Sequence, residues 1–167
     1  MLTGFMGTGK TAIGRVLAKR LGFVFVDCDA EIEKEYGMTI SEIFERFGES
    51  GFRDRESMVL SILSGADHVV LATGGGAVLR DENRINLRKK GMIVCLTASP
   101  ETILMRTKGN TARPLLSVPN PLGQIVKLLE QRRPYYEDAD IVIETEGKSP
   151  SEVAEEILDK IKEGAAL

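Results

Sequence analysis

Short apolar runs rich in Val, Ile and Phe recur along this chain, each separated from the next by a longer segment of helical period. That alternation restricts the fold more than any single residue does. Strands joined through helices run parallel, and such a sheet must be covered by helices. The strand candidates are 23–26, 69–72, 92–96 and 141–143, with a stub at 1–3. Between them, Ile13, Val16, Leu17 and Leu21 mark one face of a helix that Gly22 ends. Thr39-x-x-Glu42 is a capping box that opens a short helix with Ile40, Ile43, Phe44 and Phe47 as its apolar set. Ser99-Pro100 and Ser149-Pro150 each set a capping serine before a proline at the first helical position. The second of these leads a helix carrying Val153, Ile157 and Ile161.

A length of 167 residues suits one domain, and no repeat divides it. Hydrophobic residues at 43% and charged residues at 28% exclude a disordered or fibrous chain. The longest apolar runs fall far short of a bilayer span, and no signal peptide opens the sequence. A net charge of −3 argues against a general nucleic-acid binder, so arginine must act locally. Cys28 and Cys95 lie far apart and His68 is the one histidine, which excludes a Cys/His zinc site and suggests a reducing compartment. The expectation is a soluble, cytoplasmic protein with neither nucleic acid nor membrane as partner.

Gly4-Phe5-Met6-Gly7-Thr8-Gly9-Lys10-Thr11 matches GxxxxGK[ST] and runs into the first helix. Its glycines let successive N–H groups turn inward, from Gly7, Thr8 and Gly9 through Lys10 and Thr11 to Ala12, and the helix N-terminus adds its positive end. Lys10 would reach the β and γ phosphates of a nucleotide, and the Thr11 hydroxyl would coordinate Mg²⁺. Asp27-Cys28-Asp29 ends the second strand, where residues two apart share a face and both carboxylates would point together. Beside a phosphate loop such a pair can hold a metal-bound water and accept a proton, although Asp29 could equally cap a helix starting near Ala30. Thr73-Gly74-Gly75-Gly76 follows a strand, and three glycines imply a close backbone approach, as in a substrate wall. Arg53 with Glu56, Arg113, and Arg132-Arg133 before Pro134 are local charges with either a solvated or a binding role. Residues from about 108 to 123 are rich in glycine, asparagine and proline and read as a long loop.

In order along the chain, GFMGTGKT, VDCD, FRxxE, TGGG, NTARPLL and RRPYY together resemble shikimate kinase. The resemblance implies a three-layer α/β P-loop kinase fold related to nucleoside monophosphate kinases. Its five-stranded parallel sheet has the order 2-3-1-4-5, its lid falls at about 108–123 and its substrate-binding region at about 29–56. It further implies a monomer that transfers the γ-phosphoryl of ATP, with Mg²⁺, to the 3-hydroxyl of shikimate. Asp29 then corresponds to the base, Asp27 to the support for Mg²⁺, and Arg53 and Arg132 to the grip on the shikimate carboxylate. Gly74, Gly75 and Gly76 line the ring and Glu56 partners Arg53. Arg113 corresponds to the lid arginine that reaches ATP, and Arg106 to an adenine-stacking arginine. Lys148 falls where the family has an adenine-side residue before Asn-Pro, here Ser149-Pro150. Another departure is at the start, where only Met1-Leu2-Thr3 precede the loop and a truncated first strand is expected. A gluconate kinase and a non-catalytic nucleotide-binding module are the alternatives. The first has less use for two arginines converging on a carboxylate, and the second has no reason to keep Asp29 and Arg113.

Overall fold

The computed structural model describes residues 1–89, 91–109 and 114–165. Five strands, β1 (Leu2–Gly4), β2 (Val24–Asp27), β3 (Val69–Ala72), β4 (Val94–Thr97) and β5 (Ile141–Glu144), form one sheet. All pairings are parallel and the order is β2-β3-β1-β4-β5. Among the described residues the α-helices that connect and cover it are α1 (Lys10–Leu21), α2 (Cys28–Tyr36), α3 (Ile40–Leu63), α4 (Asp81–Arg88), α5 (Pro100–Thr107), α6 (Pro121–Glu137) and α7 (Pro150–Ala165).

Alternation along the strands sorts the core onto the two faces of the sheet. Val70, Val94 and Leu96 pack with Ile13 and Leu17 of α1 and with Val153 and Ile157 of α7. Leu71, the residue after Val70, turns to the opposite face and packs with Ile32, Phe52 and Leu60 of α2 and α3. Cys95 meets Ile103, Ile125 and Tyr136 of α5 and α6. The helix ends carry the expected devices. Gly22 closes α1 at φ 68°, Thr39 and Glu42 cap each other at the start of α3, and Ser99 accepts from Thr102 N at α5. Among the described residues no helix is long and apolar enough to cross a membrane.

Two expectations need adjustment. β1 is short, but the deficit is one residue, three against four in each other strand. Its ladder runs on past its ends, because Met1 O accepts from Val94 N at 2.8 Å and Leu2 O from Thr73 N at 3.0 Å. The helix opened by the capping box is short, as expected. It is broken at Gly48, whose φ of 69° and ψ of −178° are not helical, and a second helical stretch follows the kink to Leu63, so that α3 is two helices in series. The loop expected through Gly123 stops at Asn120, whose side chain accepts from Gly123 N at 3.0 Å to start α6 behind Pro121. This is the same cap-then-proline signal that Ser99-Pro100 carries. The helix then continues through Pro134, so Arg132 and Tyr136 stand one turn apart on one face.

Ile157 has no exposed surface and joins α7 to the sheet. Ile157→Ala should therefore lower the unfolding free energy by about 2–5 kcal/mol. Urea denaturation measures this, and a loss below about 1 kcal/mol would mean that α7 is a loosely held cover.

Candidate active site

Gly4 ends β1 with its Cα against the Leu96 carbonyl, where a Cβ would collide. The chain then turns through Gly7 (φ 81°) and Gly9 (φ 94°), and α1 begins at Lys10. The loop N–H groups therefore collect at a helix N-terminus, an arrangement that attracts anions. The Lys10 ammonium folds over the loop and donates to the carbonyls of Gly4 at 2.8 Å and Phe5 at 2.9 Å. Thr11 Oγ1 donates to Asp27 Oδ2 at 2.8 Å.

The two aspartates come together, but not as strand neighbours. β2 ends at Asp27 and α2 begins at Cys28, because Asp27 Oδ1 accepts from Asp29 N at 3.1 Å and caps the helix. The cap is thus Asp27, and Asp29 sits in the first turn of α2. Cys28 between them is fully buried, as simple packing requires.

Two cavities meet at this point. The larger is lined by Gly7, Gly9, Lys10, Thr11 and Asp27, with Arg106 at its side. The smaller is lined by Phe44, Phe52, Arg53, Arg132 and the segment Gly74 to Gly76. Met6, Asp29, Ile40 and Gly75 border both. Asp29 thus stands where the contents of one cavity would face the contents of the other.

The smaller cavity is built around buried charge. Arg132 is 2% exposed and its guanidinium lies over the Phe5 ring at 5.4 Å. Arg53 is nearly buried, 5.1 Å over the Phe52 ring, and donates to Glu56 Oε2 at 2.6 Å and to Glu49 Oε1 at 3.1 Å. Glu56 is fully buried. Burial pushes its carboxyl pKa up, and the Arg53 guanidinium opposes that shift. A Cβ on Gly74 would collide with the Glu56 carboxylate, and one on Gly76 with the Arg53 guanidinium. On Gly75 it would come within 3.1 Å of Met6 N in the phosphate loop. Each of the three glycines therefore admits a different neighbour. Arg53 Nε, Glu56 Oε1 and Arg132 Nη1 are buried without a hydrogen-bond partner among the described residues. Buried polar atoms are nearly always satisfied, so the two guanidinium donors, Arg53 Nε and Arg132 Nη1, point to an anionic ligand.

Tyr136, Glu49 and Glu33 escape the sequence reading. The Tyr136 hydroxyl donates to Gly75 O at 2.5 Å, and burial pushes its pKa up to about 12. Its place was detectable from the four-residue spacing to Arg132, had α6 been extended through Pro134. Glu33 accepts from Ile40 N at 2.9 Å, which ties α2 to the start of α3, and no local motif announces it. Arg106 donates to Gly7 O at 3.3 Å and through both Nη atoms to Thr145, so it braces the loop from the side of the larger cavity. Lys148 borders neither cavity and its ammonium pairs with Glu156 at 2.6 Å, while Ser149 caps α7 with Glu152. Arg113 lies outside the described residues. Pro114 and Leu115, which follow it, line the smaller cavity.

A family model described as shikimate kinase matches residues 6–162. The chain is 55% identical to a shikimate kinase of Thermodesulfovibrio yellowstonii over 95% of this chain and 91% of that protein. Its structure superposes on that of a shikimate kinase from Acinetobacter baumannii in complex with shikimate. There the TM-score is 0.96 and the identity 44%, covering 98% of this chain and 92% of that one. A gluconokinase from Sinorhizobium meliloti, at 18% identity and a TM-score of 0.62 over 99% and 91% of the two chains, shares the fold alone.

Tyr136→Phe removes the hydroxyl and leaves the partly buried Gly75 carbonyl without its donor. The expected loss of stability is about 1–3 kcal/mol in urea denaturation. An unchanged midpoint would mean that water replaces the hydroxyl.

Proposed function

The chain belongs to the shikimate kinase family, an ATP-dependent phosphotransferase family, and on that basis we propose that the two cavities divide its reaction between them. The larger receives ATP and the smaller receives shikimate, with the 3-hydroxyl of shikimate directed at the γ-phosphorus past Asp29. The observation that carries this reading is the position of Asp29 on the shared wall, with two buried guanidinium groups behind it in the smaller cavity.

Arg53 and Arg132 take the shikimate carboxylate, for which their forked donors are suited and which would satisfy Arg132 Nη1. Gly74, Gly75 and Gly76 let the ring lie against backbone, and Glu56 keeps the Arg53 guanidinium in place. On the other side, the N–H groups from Gly7 to Ala12 bind the β and γ phosphates. Lys10 leaves its carbonyl partners to neutralise the transferring group. Asp29 accepts the hydroxyl proton as that oxygen bonds to the γ-phosphorus, the bond from phosphorus to the ADP oxygen breaks, and ADP leaves. Arg106 flanks the nucleotide, and Lys148 has no part in this reading. Arg113 is assigned to the phosphates on the resemblance of its NTARPLL segment.

Thr11 and Asp27 suit Mg²⁺, since a hydroxyl and a carboxylate oxygen 2.8 Å apart are the hard oxygen donors it takes. When bound, Mg²⁺ neutralises charge on the β and γ phosphates. One carboxylate and one hydroxyl are enough for an ion that phosphates and water complete, and a dedicated protein cage is not needed.

ATP-dependent phosphorylation of shikimate, run beside gluconate, tests the assignment. Turnover on shikimate alone is expected, and preference for gluconate would overturn it. Asp29→Asn should retain ATP binding while kcat falls about 100-fold or more, since an amide keeps the volume but cannot take the proton. Turnover within a few-fold of the unaltered enzyme would reduce Asp29 to a residue of the helix start. Arg132→Lys keeps a charge but loses the fork, so the KM for shikimate should rise while that for ATP holds. An equal loss for both substrates would remove Arg132 from the acid cavity.

A further inference from the structure

Arg53 is already committed to two carboxylates. Its Nη1 is on Glu56 at 2.6 Å and its Nη2 on Glu49 at 3.1 Å, whereas Arg132 Nη1 is buried with no hydrogen-bond partner among the described residues. The two glutamates are not equivalent. The Glu56 side chain has no exposed surface and cannot leave without stranding a charge, while the Glu49 side chain is 48% exposed and can turn into water. Glu49 also follows Gly48, where α3 is broken in a conformation essentially confined to glycine. A Cβ at Gly48 would meet nothing within 4 Å, so the glycine serves the backbone angle and not the space. Ile40 and Phe44 lie before this joint, Phe52 and Arg53 after it, and all four line the smaller cavity. The atom that Glu49 holds is moreover the one a Cβ on Gly76 would strike, so Glu49 occupies the guanidinium edge beside the glycine wall.

We propose that Glu49 is a displaceable stand-in for the substrate carboxylate. It neutralises Arg53 while the cavity is empty, releases Nη2 when the acid enters, and turns to solvent beside the Gly48 joint. The inference rests on assigning the smaller cavity to the shikimate carboxylate. Its consequence is selective. An acid exchanges one ion pair for another, whereas a neutral ring alcohol of the same shape has nothing to offer Arg53 in place of Glu49.

Calorimetric binding of shikimate to Glu49→Gln, without nucleotide, tests this. The amide keeps the size and loses the charge, so the shikimate Kd should fall about two- to fivefold, the range of a half-exposed ion pair. Raising the salt concentration should narrow the gap from the unaltered enzyme, because screening weakens the competing pair. Unchanged or weaker shikimate binding would overturn the proposal and make Glu49 a fixed support for Arg53. Glu49→Asp, whose shorter side chain should hold Nη2 less well, gives the same direction if the amide variant folds poorly. Arg53→Lys separates the two ideas. If it leaves shikimate binding unchanged, the cavity assignment itself fails. If it weakens binding while neither Glu49 variant tightens it, only the stand-in fails.

Discussion

Two buried guanidinium groups line one cavity, with the buried Glu56 carboxylate behind Arg53, and much of the surrounding chain serves to hold these groups there. Isolated, each would cost several kcal/mol to remove from water. The pair of Arg53 and Glu56 offsets part of that cost by a 2.6 Å charged hydrogen bond, and the faces of Phe52 and Phe5 supply negative potential to Arg53 and Arg132. The glycine segment follows from the same requirement. A side chain at Gly74 or Gly76 would have to occupy the space of the Glu56 carboxylate or the Arg53 guanidinium. The residual unsatisfied atoms are then the ones left for a ligand.

Much of the fold was legible because its signals are local. The strand Val69–Ala72 and the caps at Gly22, Thr39, Ser99 and Ser149 depend on neighbours within a few residues, and each occurs where its sequence places it. The strand order is a different matter. It was read from the family resemblance, since nothing in an apolar run of four residues states which other run it will lie beside. The phosphate loop was legible for the same local reason as the caps, being one contiguous turn whose glycine spacing is set by backbone geometry.

The misses have physical causes of two kinds. One is a competing local rule. Prolines at 119 and 121 read as loop, but a proline at the first turn of a helix is favoured once Asn120 caps it. Likewise Asp27 and Asp29 would share a face only on a continuing strand, whereas the Asp27 carboxylate ends it by accepting from Asp29 N. The other cause is distance. Glu33 acts on Ile40 N, Tyr136 on Gly75 O across 61 positions, and no periodicity reports such a bond. Lys148 illustrates the converse. It was placed by its neighbours in the sequence, yet its ammonium finds Glu156 eight residues on in α7.

Asp27 brings these threads together, because its two carboxylate oxygens do separate work. Oδ2 holds the Thr11 hydroxyl of the phosphate loop, and Oδ1 holds the N–H of Asp29. The position of the proposed proton acceptor is therefore referred, through one side chain, to the position of the phosphates it must face. Had Asp29 remained on the strand, its carboxylate would have been fixed only by β2, an edge strand paired on one side to β3. In the first turn of a capped helix it is fixed relative to the loop itself. A displacement of α2 large enough to misplace Asp29 would strain or break the bond that keeps Thr11 oriented. Phosphoryl transfer depends on alignment more than on covalent chemistry, and a shared carboxylate achieves that alignment without an added element.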